Sequence, residues 1–227
     1  MGKDDFKLDN PAWHSLAEHH RQFGIEFPMI KFYQPEYCPF GAITNPTGNN
    51  RPLMQYADGI DNFFMIGEKP MIPQGMQLKK ELVCLQMITN RHVEQEIREN
   101  IVLLTMDDNP ALIELVNLVQ PGYFRNKTLL LGAYYGIFKS GELIAAAGER
   151  MKMDAYTEVS AIVTHPGHTG KGYAKQLIAH VVKSIFNQNK LPYLHVAQTN
   201  LHAISIYEKL GFSKRRKISF WNLAKIQ

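Results

Sequence analysis

One stretch of eleven residues carries the densest chemical signal in the chain: Thr164-His165-Pro166-Gly167-His168-Thr169-Gly170-Lys171-Gly172-Tyr173-Ala174. An apolar run ends at Thr164, a glycine-rich turn follows, and a helical pattern begins at about Gly172. Such a turn brings main-chain N–H groups together at a helix N-terminus, where the aligned peptide dipoles also favour an anion. Glycine lets the backbone approach a phosphate without a side chain in the way. The chemistry this predicts is the binding of a phosphate or pyrophosphate. Two familiar motifs are excluded. A P-loop needs Ser or Thr after Gly-Lys, where Gly172 stands, and a glycine five residues before Gly170, where His165 stands. The dinucleotide fingerprint starting at Gly170 would need Gly or Ala at position 175, which is Lys175.

Further along lies a second motif, Asn200-Leu201-His202-Ala203-Ile204-Ser205-Ile206-Tyr207-Glu208-Lys209-Leu210-Gly211-Phe212. Together with the G-K-G-Y-A turn, it resembles the GNAT N-acetyltransferase superfamily, and the T-H-P lead into the turn resembles a bacterial subgroup of it. The resemblance covers about residues 100 to 227. It implies acetyl-CoA as co-substrate, no metal, and an amine acceptor. Where that family usually has Gln or Arg ahead of the first turn glycine, Gly167 and Thr169 stand, and Lys171 offers a replacement positive charge.

The resemblance also implies a set of site residues. His168, Thr169, Gly170, Lys171, Gly172, Tyr173 and Ala174 would hold the CoA pyrophosphate. The strand backbone at Ile162, Val163 and Thr164 would pair with the pantetheine arm like an added strand, and an N–H there would stabilise a developing oxyanion. Asn200 would cap its helix and bond the CoA arm, with Ala203 beside it. Tyr207 is the candidate general acid: a phenol, with a reference pKa of about 10, keeps its proton at neutral pH and can offer it to sulfur. Glu158 and Glu149 are the candidate bases, since a carboxylate buried in an apolar strand has a raised pKa. The competing reading of both is an ion pair with Arg150 or a lysine. With no cysteine near either motif, the expected route is direct attack rather than a covalent thiol intermediate. A non-catalytic acyl-CoA-binding sensor or interaction module on the same fold is the alternative.

Elements must position these residues. Tyr156–Thr164 reads as a strand. From Gly172 to Asn187 the apolar doublets Tyr173-Ala174, Leu177-Ile178, Val181-Val182 and Ile185-Phe186 make one continuous helical face. Pro192–Ala197 reads as the next strand, parallel to the first through a right-handed crossover. Asn200–Leu210 is a helix stopped by Gly211, and Phe212–Leu223 supplies one or two last strands. Upstream, Ile101–Thr105 reads as a buried strand and Asn109 to Leu118 as a helix. Gly132–Phe138 and Glu142–Arg150 form a hairpin turning at Lys139-Ser140-Gly141. The fold class is α/β: a GNAT-like mixed sheet flanked by helices, with an N-terminal α+β extension.

The expected division is residues 1–98 as an extension or lobe shaping the acceptor side and residues 99–227 as the acetyltransferase domain. In the first part, Pro11–Phe23 reads as a helix capped by Asn10, with Met29–Tyr33 and Phe63–Ile66 as short strands. Gln77–Thr89 fits strand or helix equally, Thr44–Pro52 is a loop, and no internal repeat is visible. The 227 residues are 45% hydrophobic and 20% charged, which excludes a largely disordered chain. A net charge of +4 is too mild for a nucleic-acid binder, and no apolar run is long enough to span a bilayer. Cys38 and Cys84 fit buried thiols in a reducing compartment, and without a signal-peptide pattern the expected address is cytoplasmic. His14, Glu18 and His19 share no face suited to a metal, the run Lys214–Lys217 reads as a solvated strand edge, and His165 reads as a residue that shapes the turn.

Overall fold

The computed structural model describes residues 4–48 and 50–226. Strands and helices follow in chain order as α1 (Pro11–Ala17), β1 (Gly24–Phe27), β2 (Ile30–Tyr33), β3 (Phe40–Ile43), α2 (Arg51–Tyr56), β4 (Phe63–Ile66), β5 (Met76–Ile88) and β6 (Ile101–Leu103). The remainder is α3 (Asn109–Val119), β7 (Tyr134–Lys139), β8 (Glu142–Lys152), β9 (Tyr156–Thr164), α4 (Tyr173–Asn187), β10 (Leu191–Ala197), α5 (Leu201–Lys209) and β11 (Ser213–Lys225). All eleven strands join one sheet in the order β1-β2-β3-β4-β11-β5-β10-β9-β8-β7-β6. Only β3/β4 and β9/β10 run parallel, so the sheet is mixed, as expected.

Strand periodicity places α3 and α4 on opposite faces. Ala145 and Ala147 of β8 pack with Leu177, Val181 and Ile185 of α4, whereas Ala146 between them packs with Leu112 and Val116 of α3. The α4 doublets bury Tyr173, Leu177, Ile178, Val181, Val182 and Ile185. Removing a surface of that size from water is the main force seating the helix.

Residues 77–88 are settled as strand by tertiary pairing, with Thr89 just past its end. Strand β5 lies between β10 and β11 and pairs with β11 from Met76↔Lys225 to Ile88↔Ser213. One long strand, β11, takes the place of one or two. The division at residue 98 therefore does not break the sheet: a strand from the first part sits at the centre of the second. Helix α1 is shorter than expected because the chain turns after Ala17 to bury His20, whose ring reaches Ser15 Oγ (3.2 Å), Tyr33 Oη (2.9 Å) and the Leu131 carbonyl (2.8 Å). Asn10 does not cap by its side chain; its amide donates to the Ile43 carbonyl at 2.9 Å. Strand β6 is a sheet edge with Leu103 exposed, not a buried strand.

The topology also corrects the absence of a repeat. Outward from the central β11/β5 pair, one side reads β4, β3, β2, β1 and the other β10, β9, β8, β7, with β6 added at the far edge. Each half holds a helix, three strands, a helix and two strands in chain order, the second half adding β6 before its first helix and α5 before its last strand. Strands β3 and β9 both run into a Thr-x-Pro turn, Thr44-Asn45-Pro46 and Thr164-His165-Pro166. The final strands, β5 and β11, are exchanged between the halves.

Candidate active site

Strands β9 and β10 pair only at Leu191↔Tyr156, Pro192↔Thr157 and Tyr193↔Glu158. Among the described residues, the edge of β9 beyond Glu158 has no strand partner on the β10 side. The separation opens a cleft in the middle of the sheet. On its other edge β9 carries a bulge: Ala146↔Val163 is followed by Gly148↔Ser160, two steps on β8 against three on β9. Ala161 sits in this bulge at φ 49°, a left-handed conformation uncommon for a residue with a Cβ. Ile162 follows it in the cleft lining, and Val163 and Thr164 carry the strand on toward the glycine turn.

The turn at the end of β9 is built as its composition suggests. His165 Nδ1 accepts from the Gly167 amide at 3.1 Å, so this histidine shapes the turn. Gly170 and Gly172 have φ of 77° and 78°, and a Cβ added at either would meet nothing within 4 Å. The first main-chain bond into α4 is donated by Gln176 to the Gly172 carbonyl, at 3.3 Å. The amides of Tyr173, Ala174 and Lys175 before it are therefore left without helical partners, as at any helix start. His168 Nδ1 is buried without a hydrogen-bond partner among the described residues. Asn200 Oδ1 accepts from the Ala203 amide at 3.1 Å, capping α5 as expected.

Tyr207, on α5, is buried and faces the same cleft. Desolvation alone pushes its phenol up to about 12. The cleft spans about 520 Å³, space open to solvent included, and is walled by Val116 of α3, the following Tyr123 and Phe124, Tyr134 of β7 and residues 158–162 of β9. The Tyr134 hydroxyl is buried there without a hydrogen-bond partner among the described residues. Its ring presses on Gly148, where an added Cβ would come within 2.3 Å of Cδ1; glycine at 148 is what seats it.

The two candidate bases lie on opposite faces of the sheet. Glu149 shares the α4 face: its carboxylate accepts from Lys152 Nζ at 2.6 Å and Gln188 Nε2 at 2.8 Å, and it does not line the cleft. Glu158 does line it, but as half of an ion pair. It accepts from Arg150 Nε at 2.8 Å, Arg150 Nη2 at 3.0 Å and His195 Nδ1 at 2.8 Å. Desolvation pulls its pKa upward, but the Arg150 charge and the hydrogen bonds from His195 and Arg150 outweigh it and hold the carboxyl at about 2. For Glu158 the expected upward shift is thus reversed, because the carboxylate found cationic and hydrogen-bonding partners. The network continues inward: Gln86 Nε2 donates to the Leu8 carbonyl (2.8 Å) and meets His195 Nε2 at 3.1 Å, while Gln86 Oε1 accepts from Arg215 Nη1 at 3.0 Å. The Arg150 guanidinium lies over the Phe40 ring, 4.6 Å from its centroid. Residues 4–98 supply no lining of this cleft but support it from behind through Phe40 and Gln86. Sequence reasoning missed His195, Tyr134 and Tyr123; none sits in a recognisable motif, and only the tertiary fold brings them to Glu158 and Tyr207.

A strand pair that splays beside a glycine-rich helix start is also what known proteins of similar sequence and fold point to. A family model described as FR47-like protein matches residues 134–221. A crystal structure from Novosphingobium aromaticivorans, assigned to the GNAT acetyltransferases, is 32% identical over 97% of this chain and 99% of its own, with a TM-score of 0.89. The chain belongs to the GNAT family. Two more distant structures share the fold alone: a GCN5-related N-acetyltransferase-like protein from Streptococcus suis (15% identity, 96% of each chain, TM-score 0.64) and a GCN5-related N-acetyltransferase from Kribbella flavida (14%, 95% and 94%, TM-score 0.61). No curated protein sequence matches the chain.

Proposed function

We propose that the protein is an N-acetyltransferase that moves acetyl from acetyl-CoA to an amine by direct attack. The observation that carries this reading is the free edge of β9, which runs from the Tyr207 cleft to the glycine turn at the head of α4. The residues present fit acetyl-CoA. Open space over Gly170 and Gly172 suits a diphosphate, unpaired helix-start amides suit its charge, and the unpartnered His168 Nδ1 gives one more polar contact. When bound, acetyl-CoA supplies an activated acetyl group on sulfur.

This chain's residues do the rest. Main-chain groups of Ile162, Val163 and Thr164 hold the arm as an extra strand, and an N–H near the bulge stabilises negative charge on the acetyl oxygen. Asn200 and Ala203 keep α5 in place so that the Tyr207 hydroxyl donates to the departing sulfur, a proton it retains at every physiological pH. Glu158 and Arg150 fix the floor of the cleft instead of exchanging protons. Residues 4–98 act on the acceptor side by supporting that floor. Two buried thiols, Cys38 and Cys84, suit a reducing cytoplasmic setting, and among the described residues no helix is long and apolar enough to cross a membrane.

Calorimetric titration with coenzyme A, followed by free-thiol release from acetyl-CoA over an amine panel, tests the reading. Saturable binding with amine-dependent release supports it; absence of heat at millimolar coenzyme A would refute it.

A further inference from the structure

Transfer to nitrogen requires an uncharged amine, so the cleft must either remove a proton from an ammonium or receive the amine without one. The lining groups able to take part in proton exchange are Tyr123, Tyr134, Arg150, Glu158, His195 and Tyr207. Glu158 already accepts three hydrogen bonds from two partners. His195 has both ring nitrogens engaged. The amide of Gln86 is oriented by the Leu8 carbonyl and by Arg215, so its Nε2 donates to His195 Nε2 and the ring proton lies on Nδ1, facing Glu158. The three phenols are held protonated, each raised by desolvation first. Behind the ion pair stand Tyr33, Tyr193, Cys38 and Cys84, whose ionisation burial also suppresses. On the far face of the sheet, Glu149 is bound to Lys152.

We infer that the acceptor is a weakly basic amine, an α-amino group or an arylamine, that enters the cleft already uncharged, because Glu158 and His195, the lining groups with a lone pair that could receive its proton, are already bonded. The inference rests on the transferase reading above. It also fits the charge at the site: Arg150 and Glu158 cancel, so the cleft offers an ammonium ion no net attraction. The unpartnered Tyr134 hydroxyl gives a neutral amine one hydrogen bond, and Tyr123, Phe124 and Tyr134 suit an apolar or aromatic body.

The step balances without a strong base. The amine nitrogen bonds the acetyl carbon with its lone pair, the carbon–sulfur bond breaks, and the pair goes to sulfur. The nitrogen, made acidic by the new bond, loses one proton to water. Sulfur gains one through the Tyr207 hydroxyl, which is reprotonated from solvent. A neutral amine thus gives amide plus thiol with no proton left over. At pH 7 an α-amino group with pKa about 7.7–8.0 is roughly one-tenth neutral, whereas a lysine-type amine at about 10.4 is neutral roughly once in 2,500. Discrimination of about a few hundred-fold follows from that ratio alone.

The test uses the full chain, acetyl-CoA and three acceptors with one kind of body: phenylalaninamide, phenethylamine and p-toluidine. Thiol release is measured from pH 6 to 10. The expected result is that phenylalaninamide or p-toluidine exceeds phenethylamine by about a hundred-fold or more in kcat/KM at pH 7; which of the two leads tells an α-amino source from an arylamine. For phenylalaninamide and phenethylamine the inflexion of the alkaline limb should follow the amine's own pKa, and p-toluidine, uncharged throughout this range, should show none of its own. In addition, phenethylamine titrated at pH 7 into the protein–coenzyme A complex, in two buffers of different ionisation heat, should release close to one proton per amine bound. A shared inflexion for all three amines, or binding without proton release, would overturn the inference and leave the transferase reading standing. No thiol release with any amine would overturn both.

Discussion

Tyr207 and Glu158 face one cleft, yet their surroundings set them in opposite roles. Burial without a charged neighbour leaves the phenol protonated, whereas burial against Arg150 and His195 leaves the carboxylate ionised. Replacing Tyr207 by Phe should lower kcat by about 10²-fold, the usual worth of a proton donor. The KM for acetyl-CoA should stay unchanged; steady-state kinetics over both substrates checks this. For Glu158 the consequence is stability. Its folded pKa lies below its ordinary value of 4.5, so its contribution is complete above about pH 4.5 and is lost as pH falls toward 2. By linkage, about 2 kcal/mol should be gone by pH 3, measurable as a drop in the denaturant midpoint. The variant Glu158→Gln should already be destabilised at pH 7, by about 3–5 kcal/mol, since it leaves Arg150 buried without its counter-charge. The identity of Tyr207 was legible because it sits in a spaced motif. The state of Glu158 was half legible: the ion pair with Arg150, a near neighbour in sequence, was the competing reading and is what forms, whereas His195 lies on a remote strand that no local signal connects to it.

At the level of elements, the turn between β9 and α4 shows what glycine is needed for. Gly172 adopts φ 78° at the helix start, a conformation costing roughly 1–2 kcal/mol for a residue with a Cβ and more for a branched one. In Gly172→Val, coenzyme A binding should weaken by at least about tenfold in calorimetry, because the new side chain occupies the open face of the turn. Circular dichroism should still show a folded protein, as nothing in the protein crowds that position. The glycines, the doublets of α4 and the Asn200 cap are all local signals, so this region was readable from sequence. Residues 77–89 were not. Their alternating and clustered apolar positions suit either conformation, and only two long neighbouring strands decide the outcome. The bulge at Ala161 was equally hidden, since nothing in a run such as Val159-Ser160-Ala161-Ile162 marks which residue will be left over when two strands of unequal length are paired.

In the molecule as a whole, the two halves are tied by exchanged strands, and this changes what a truncation can show. A fragment of residues 99–227 would lack β5 and leave β10 and β11 with no shared neighbour at the middle of the sheet. That fragment should fail to fold, giving a flat thermal melt and no coenzyme A binding, whereas independent domains would leave binding intact. The repeat escaped notice in the sequence because the halves share topology and a Thr-x-Pro turn but little else; α2 has six residues where α4 has fifteen. There is also a consequence for biosynthesis. Strand β5 leaves the ribosome long before Ser213–Lys225, its main partner, has been made. The central ladder cannot zip until the chain has been made as far as Lys225, which predicts slow closure of a sheet dominated by distant pairings. Meanwhile an emerging chain carries an uncovered strand edge, the sort of surface on which nascent polypeptides aggregate or recruit chaperones.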